Sequence, residues 1–291
     1  MRIGTRGSAL ALAQAEWVAG LLGGEAEIVT ITTLGDRGAA TLDKSRWVSA
    51  LEAALLGGRI DVAVHSAKDV PTELPPGLEL VAVPSRADPR DAICGAKALH
   101  DLAPGARVGT SSVRRAAQIA AARDDLEVVE LRGNVDTRLR KLADDEVDVL
   151  VLALAGLQRL GREREAGGTL DEFVPAAGQG ALALEARSQP AIDPGAMARV
   201  TDREAMACVL AERALVHALG ASCNTPVGAY ARTLSGEQVE LTAWVGLPDG
   251  SEWLQDRVRE APDRAGPACA ERMLAAGAAE LLREAERVLA P

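Results

Sequence analysis

"RIGTRGSALALAQA" at residues 2–15 and "RVGTSSVRRAAQIA" at 107–120 follow one plan: a short apolar strand, a Gly-Thr turn, a hydroxyl-bearing residue, then an alanine-rich helix. A second pair comes later in the same order, "IDVAVHSAKD" at 60–69 and "VDVLVLALAG" at 147–156. Their Val/Ile/Leu runs suit buried strands of a parallel sheet covered on both faces. Chance produces one such echo more readily than two in sequence. The repeat therefore predicts two α/β, doubly wound lobes of similar plan.

The joins follow from the prolines. "VAVPSRADPRDA" (81–92) and "FVPAAGQGALALEA" (173–186) each set a proline beside strand-like residues. A chain that crosses outward near Pro84 and returns near Ala176 links the lobes by two strands, a hinge over a cleft. Gly178 and Gly180, either side of Gln179, supply backbone freedom there. Beyond about residue 200 the texture changes. "DREAMACVLAERALVHALG" (202–220) reads as a helix stopped by Gly220, "GAYARTL" and "VELTAWVGLPDG" as antiparallel strands, and Pro267 to Leu289 as one helix. This is a small C-terminal α+β domain. The expected boundaries are 1–84 with 181–199, then 88–176, then 203–291.

Bulk composition narrows the function. The 291 residues are 48% hydrophobic and 25% charged, the balance of a soluble globular chain. A net charge of −10 and only 2% aromatics argue against nucleic acid as a partner. No apolar run reaches membrane-spanning length, and "MRIGTRGSALALAQ" interrupts what a signal peptide keeps unbroken, so a cytoplasmic protein is expected. Three histidines and four cysteines without C-x-x-C spacing predict neither a metal site nor disulfides. Yet from Arg107 to Lys141 eight basic residues face five acids. A local cationic excess in an acidic chain suits a small anionic ligand.

Candidate binding groups collect where strands end and helices begin, the usual ligand position in such sheets. Thr5, Arg6 and Ser8 precede the first helix. Thr110, Ser111 and Ser112 precede its echo, with Arg114 and Arg115 on the first turn. Lys68 and Asp69 follow the strand at 60–64. "LRGNVDTRLRKL" (131–142) adds Arg132 and Arg138, and Arg159 ends the next strand–helix unit. Alone, each is a cap, a surface turn or a solvated face. Together they converge on one cleft, and forked guanidiniums suit carboxylates. Asp69 is the one carboxylate this layout places in the cleft, a group able to hold N–H donors and steady a cation. His65 has no nucleophile at matching spacing and reads as structural. Cys223, in "GASCNTPVGAY" (220–230), is left on a turn with no disulfide, metal or catalytic partner in sight.

These pieces, with "DPRDA", "LALAGLQRL" and "CNTPVGAYA" in the same order, resemble the porphobilinogen deaminase (hydroxymethylbilane synthase) family over nearly the whole chain. The resemblance implies two lobes like those of periplasmic binding proteins plus a cysteine-bearing third domain. It implies a monomeric transferase of tetrapyrrole and heme biosynthesis, with porphobilinogen as substrate. Cys223 then carries a dipyrromethane cofactor through a thioether. Four porphobilinogens are joined head to tail with loss of ammonia, and hydrolysis releases linear hydroxymethylbilane. Asp69 matches the catalytic aspartate. Ser8, Lys68, Asp69, Thr110, Ser112, Arg114, Arg115 and Arg132 match groups that grip the cofactor. Arg6, Gln14, Arg132, Arg138, Arg159 and Lys44 match groups that hold the incoming ring. The chain departs from the family at "LDKSRWVSALEAAL" (42–55), where Asp43 and Ser45 replace the glycines beside Lys44 and Trp47 replaces a phenylalanine. That puts the contacts of the lid in question. Two rivals stand beside this reading. A non-catalytic two-lobed binding protein for a polycarboxylate leaves Cys223 and Asp69 unexplained. A thiol hydrolase lacks a histidine near Cys223 other than His217, which its helix position carries away.

Overall fold

In the computed structural model the described residues are 1–23, 26–33, 45–189, 192–221, 225–235 and 237–289. Lys44 and Cys223 lie outside them, as do Leu42 and Asp43 of the expected lid and the side chains at 45–47.

The first lobe runs β1 (Arg2–Thr5), α1 (Ala9–Leu21), β2 (Glu27–Thr30), α2 (Ser45–Leu56), β3 (Val62–Ser66) and β4 (Leu78–Ala82). The chain then crosses to the second lobe: β5 (Asp91–Cys94), β6 (Arg107–Thr110), α3 (Val113–Ala122), β7 (Glu127–Glu130), α4 (Val135–Ala143), β8 (Val149–Ala153), α5 (Leu154–Arg159) and β9 (Ala166–Leu170). It returns to the first as β10 (Leu182–Arg187) and α6 (Pro194–Val200). The strand orders, β2-β1-β3-β10-β4 and β7-β6-β8-β5-β9, correspond position by position.

The two echoes meet inside each lobe. Ile3 pairs with Val62 and Val108 with Val149, in parallel. Arg2 reaches Asp61 at 2.7 Å, and Arg107 reaches Asp148 at 2.8 Å. Helix starts repeat as well. The Ser8 hydroxyl accepts from the Ala11 amide and the Ser112 hydroxyl from the Arg115 amide, each cap worth about 1 kcal/mol. The sheets are mixed, however, where the sequence suggested parallel ones. β5 and β10 run antiparallel to both their neighbours. These are the strands that arrive by crossing. Both sheets turn the C-terminal ends of their parallel strands toward the crossings, so a strand entering from that edge must run the other way.

The C-terminal region has α7 (Arg203–Ala218), the antiparallel sheet β11 (Val227–Thr233), β12 (Val239–Gly246) and β13 (Trp253–Glu260), then α8 (Pro262–Ala275) and α9 (Ala278–Leu289). Asp202 caps α7 through the amides of Glu204 and Ala205, and Gly220 ends its turn at φ 65. Leu215, Leu241, Val245, Cys269 and Met273 form its core. The single helix expected from Pro267 to Leu289 is two helices. Pro262 opens the first, where a missing amide costs nothing. Gly277, at φ 104, breaks the chain before the second. Among the described residues no helix is long and apolar enough to cross a membrane.

Candidate active site

Strand β3 delivers Ser66, then a single 3-10 turn at Ala67–Asp69 carries Lys68 and Asp69. Two contacts fix that turn. Buried Gln14 on α1 donates to the Ser66 hydroxyl at 3.0 Å, and the Ala67 amide donates to the Ala181 carbonyl at 3.0 Å. The returning crossing lies directly on it. Gly178 holds φ 73, and a Cβ there would sit 2.8 Å from the Ala67 side chain and 3.0 Å from the Lys68 amide, so only glycine fits. Arg6 sits half-buried where β1 gives way to α1. His65 points into the lobe, 6% exposed, with Nε2 2.9 Å from Glu185 but off the line of a hydrogen bond. It is a packed structural residue.

The opposite wall comes from the second lobe. Asn134 caps α4, which places Arg138 at the end of its first turn, where Nε donates to the Gly133 carbonyl at 2.7 Å. Burial pulls the Arg138 guanidinium down to about 10; the charge of Arg115 adds to this and that of Asp69 opposes it. The charge of Asp69 on one lobe therefore reaches Arg138 on the other. Arg159 ends α5 and donates to the Gly180 carbonyl at 2.7 Å, and burial brings it to about 10 too. Among the described residues neither Arg138 nor Arg159 lies within ion-pair distance of a carboxylate. A partly desolvated cation whose described partners are carbonyls is stabilised by an arriving anion. Arg132 is more open and pairs with Glu130 at 2.6 Å. Thr110 is buried, accepting from the Ser112 amide at 3.2 Å, while Ser8 and Ser112 stay half-buried at their helix starts.

Arg114 and Arg115 are placed differently from the rest. Both are buried, and both grip Asp91 at 2.8 Å. Burial alone would raise the Asp91 carboxyl, but the two guanidiniums, with Gln179, hold it far below the usual range. Gln179 donates to Asp91 at 2.8 Å and to the Pro89 carbonyl at 2.6 Å, and accepts from Arg115 at 3.3 Å. Asp91 and Gln179 thus tie both crossings to α3. Sequence reasoning passed over them, although "DPRDA" and "AAGQG" hold them in plain view.

Helix α7 carries the other omissions. Glu212, wholly buried, accepts from Arg86 on the outward crossing at 2.6 Å, from the Gly178 amide on the returning one at 2.6 Å, and from the Ala231 amide at 2.7 Å. Arg86 also lies 5.1 Å from the centroid of Tyr230. The signal was positional: residues 205, 208, 209, 212 and 213 form one face of the helix, and charges on an otherwise apolar stripe require buried partners. Cys94, Cys208 and Cys269 are buried, and burial pushes their thiols up to about 11, 11 and 12, which makes them poor nucleophiles.

The family described as "Porphobilinogen deaminase, dipyromethane cofactor binding domain" matches residues 1–192, and "Porphobilinogen deaminase, C-terminal domain" matches 206–275. Similar curated proteins include the porphobilinogen deaminases of Deinococcus deserti, 48% identical over 86% of either chain, and Deinococcus radiodurans, 45% identical over 96% of this chain and 97% of that one. The Thermus thermophilus protein of that name is 47% identical over 88% of both chains. Among solved structures, a TRAP periplasmic solute binding protein from Desulfovibrio salexigens is 12% identical over 69% of this chain and 70% of that one, with a TM-score of 0.41. With sequence matches of this depth running through both lobes and the C-terminal region, the chain belongs to the porphobilinogen deaminase family.

Proposed function

We propose that the chain condenses four porphobilinogens head to tail, releasing ammonia at each addition and linear hydroxymethylbilane by a final hydrolysis. The observation that carries this reading is that residues 1–192 match the dipyrromethane-binding domain of the family, with Asp69 on one lobe near enough to half-buried Arg138 on the other for its charge to act there. The alternative of a non-catalytic binding module is not favoured, since the match continues through the C-terminal region.

The donor set fits a group bearing several carboxylates: two half-buried guanidiniums at Arg138 and Arg159, an open one at Arg132, and hydroxyls at two helix starts. When bound, the dipyrromethane supplies the α-carbon onto which the first ring is joined. Ser8, Lys68, Thr110, Ser112, Arg115 and Arg132 hold its acetate and propionate groups, with Arg114 backing Arg115 through their shared Asp91. Arg6, Gln14, Arg132, Arg138 and Arg159 orient the incoming porphobilinogen, with Lys44. Gln14 acts partly through Ser66, the residue it already holds. As ammonia leaves, positive charge develops on the pyrrole and its methylene carbon. The Asp69 carboxylate accepts the ring N–H and stabilises that charge by proximity. The same carboxylate takes the proton lost from the α-carbon after the new bond forms.

Cys223 anchors the cofactor as a thioether. The other three cysteines are buried with raised thiol pKa values, which supports assigning this chemistry to the fourth. The domains divide at 1–84 with 181–199, 88–176 and 203–291, and the protein acts as a cytoplasmic monomer. Mass spectrometry of the denatured, active protein tests the reading. The expected mass exceeds the polypeptide by two pyrrole units, and Cys223→Ala lacks them. Active protein at the bare polypeptide mass, or a Cys223→Ala variant still carrying the rings, overturns the anchor.

A further inference from the structure

We infer that Arg213 is a positioning residue for Asp69, holding from behind the turn that presents its carboxylate. This rests on the reading of Asp69 given above. Arg213 lies in the middle of α7, 8% exposed, and its guanidinium donates to three successive carbonyls directly after the aspartate: Val70 at 2.9 Å, Pro71 at 2.5 Å and Thr72 at 3.2 Å.

One planar fork closing on three consecutive carbonyls fixes the path of the backbone there. A lysine, a point charge with rotating donors, cannot reproduce it. Val70 also shares an apolar cluster with Ala205 and Val209 of the same helix, but Pro71 has no amide to donate, and Arg213 holds the backbone beyond Asp69 through its carbonyls. Val70 is buried, so its carbonyl would lack a partner if Arg213 were removed.

Among the described residues no carboxylate lies within ion-pair distance of Arg213; Glu185 is the one whose charge favours its ionised form. Glu185 is fully buried on β10, and neither of its oxygens makes a hydrogen bond. A buried guanidinium held mainly by carbonyls is a costly way to pack a helix, and an apolar side chain would pack more simply. What the arginine adds is geometry. The same helix ends at Ala218, five positions before Cys223 in the sequence.

The test compares holoenzymes, their covalent cofactor confirmed by mass. Arg213→Met is expected to lower kcat on the order of 10-fold to 100-fold, the loss that follows a shift of about 1 Å in a reacting group. KM for porphobilinogen stays near the wild-type value, and Arg213→Lys recovers part of kcat. In an Asp69→Glu background, where the carboxylate is already displaced, the same Met substitution changes kcat by less than about twofold, the non-additivity of two residues acting as one unit. A merely structural arginine lowers Tm, leaves kcat intact well below Tm, and gives equal losses in both backgrounds; either result overturns the inference. Should Arg213→Met fail to fold, Arg213→Lys carries the same comparison. Normal kcat in the Arg213 variants with Asp69→Asn inactive overturns the inference alone. Full turnover by Asp69→Asn overturns the reading of the aspartate as well.

Discussion

Arg138 and Arg159 owe their value as ligands to what surrounds them. Both are half-buried, so part of their water is removed, and carbonyl oxygens from Gly133 and Gly180 replace some of it. A carboxylate bound there gains charge-assisted bonds worth about 1.5–3 kcal/mol each, so Arg138→Met should weaken binding of a pyrrole acetate-propionate by about that much. The pH dependence has a definite sign. A guanidinium with a pKa near 10 is charged below that value and neutral above it, so anion affinity is present at neutral pH and fades as pH rises through about 10. In the ligand-free chain the same depression means that the unfolded state binds more protons above pH 10, and stability rises with pH there. Calorimetric titration from pH 8 to 11 with a pyrrole lacking the aminomethyl group checks the first effect; affinity unchanged across that range would exclude it. The positions of these arginines were legible from motif and spacing. Their desolvation was not, because burial is a property of the neighbours.

At the level of elements, β5 and α3 are joined by one carboxylate. Asp91 serves two buried arginines and Gln179 at once, so Asp91→Asn leaves two cations facing an amide. The expected cost is about 3–5 kcal/mol, read from urea denaturation. Because the carboxyl is held below its ordinary value, its stabilisation is fully present above about pH 3.9 and is lost only as pH falls toward the lower folded value. A loss below 1 kcal/mol would mean that the arginines find other partners. The sequence announced Arg114 and Arg115 as ligand-facing because two adjacent arginines after a helix cap suit an anion. It gave no hint that both also hold an internal carboxylate, since Asp91 lies 23 residues before Arg114, on β5. The helix break at Gly277 was visible in principle, as glycine commonly ends helices, but the surrounding alanines concealed it.

For the molecule as a whole, Glu212 is the point where both crossings and the C-terminal sheet come together. Burial would lower the pKa of Arg86, yet its pairing with Glu212 outweighs this and holds the guanidinium above its ordinary value. Glu212→Gln substitutes an amide that cannot accept from all of these donors. The variant should melt at lower temperature by scanning calorimetry, with a stability loss of about 3–5 kcal/mol. Glu204→Gln, at an exposed position whose carboxylate accepts from the Thr233 hydroxyl, should change stability by less than about 0.5 kcal/mol. Equal effects from the two would remove Glu212 as the junction.

By itself the sequence determined the paired lobes, the crossings, the helix starts and the cationic character of the cleft, because periodicity, capping and turn chemistry act over a few residues. Only the tertiary structure decided which charge meets which. Arg86 finds Glu212 across 126 positions, and Arg213 finds the Val70 carbonyl across 143. A guanidinium grips a ligand, a carboxylate or a backbone turn according to what folding brings within about 3 Å of it, and no local pattern in the chain carries that information.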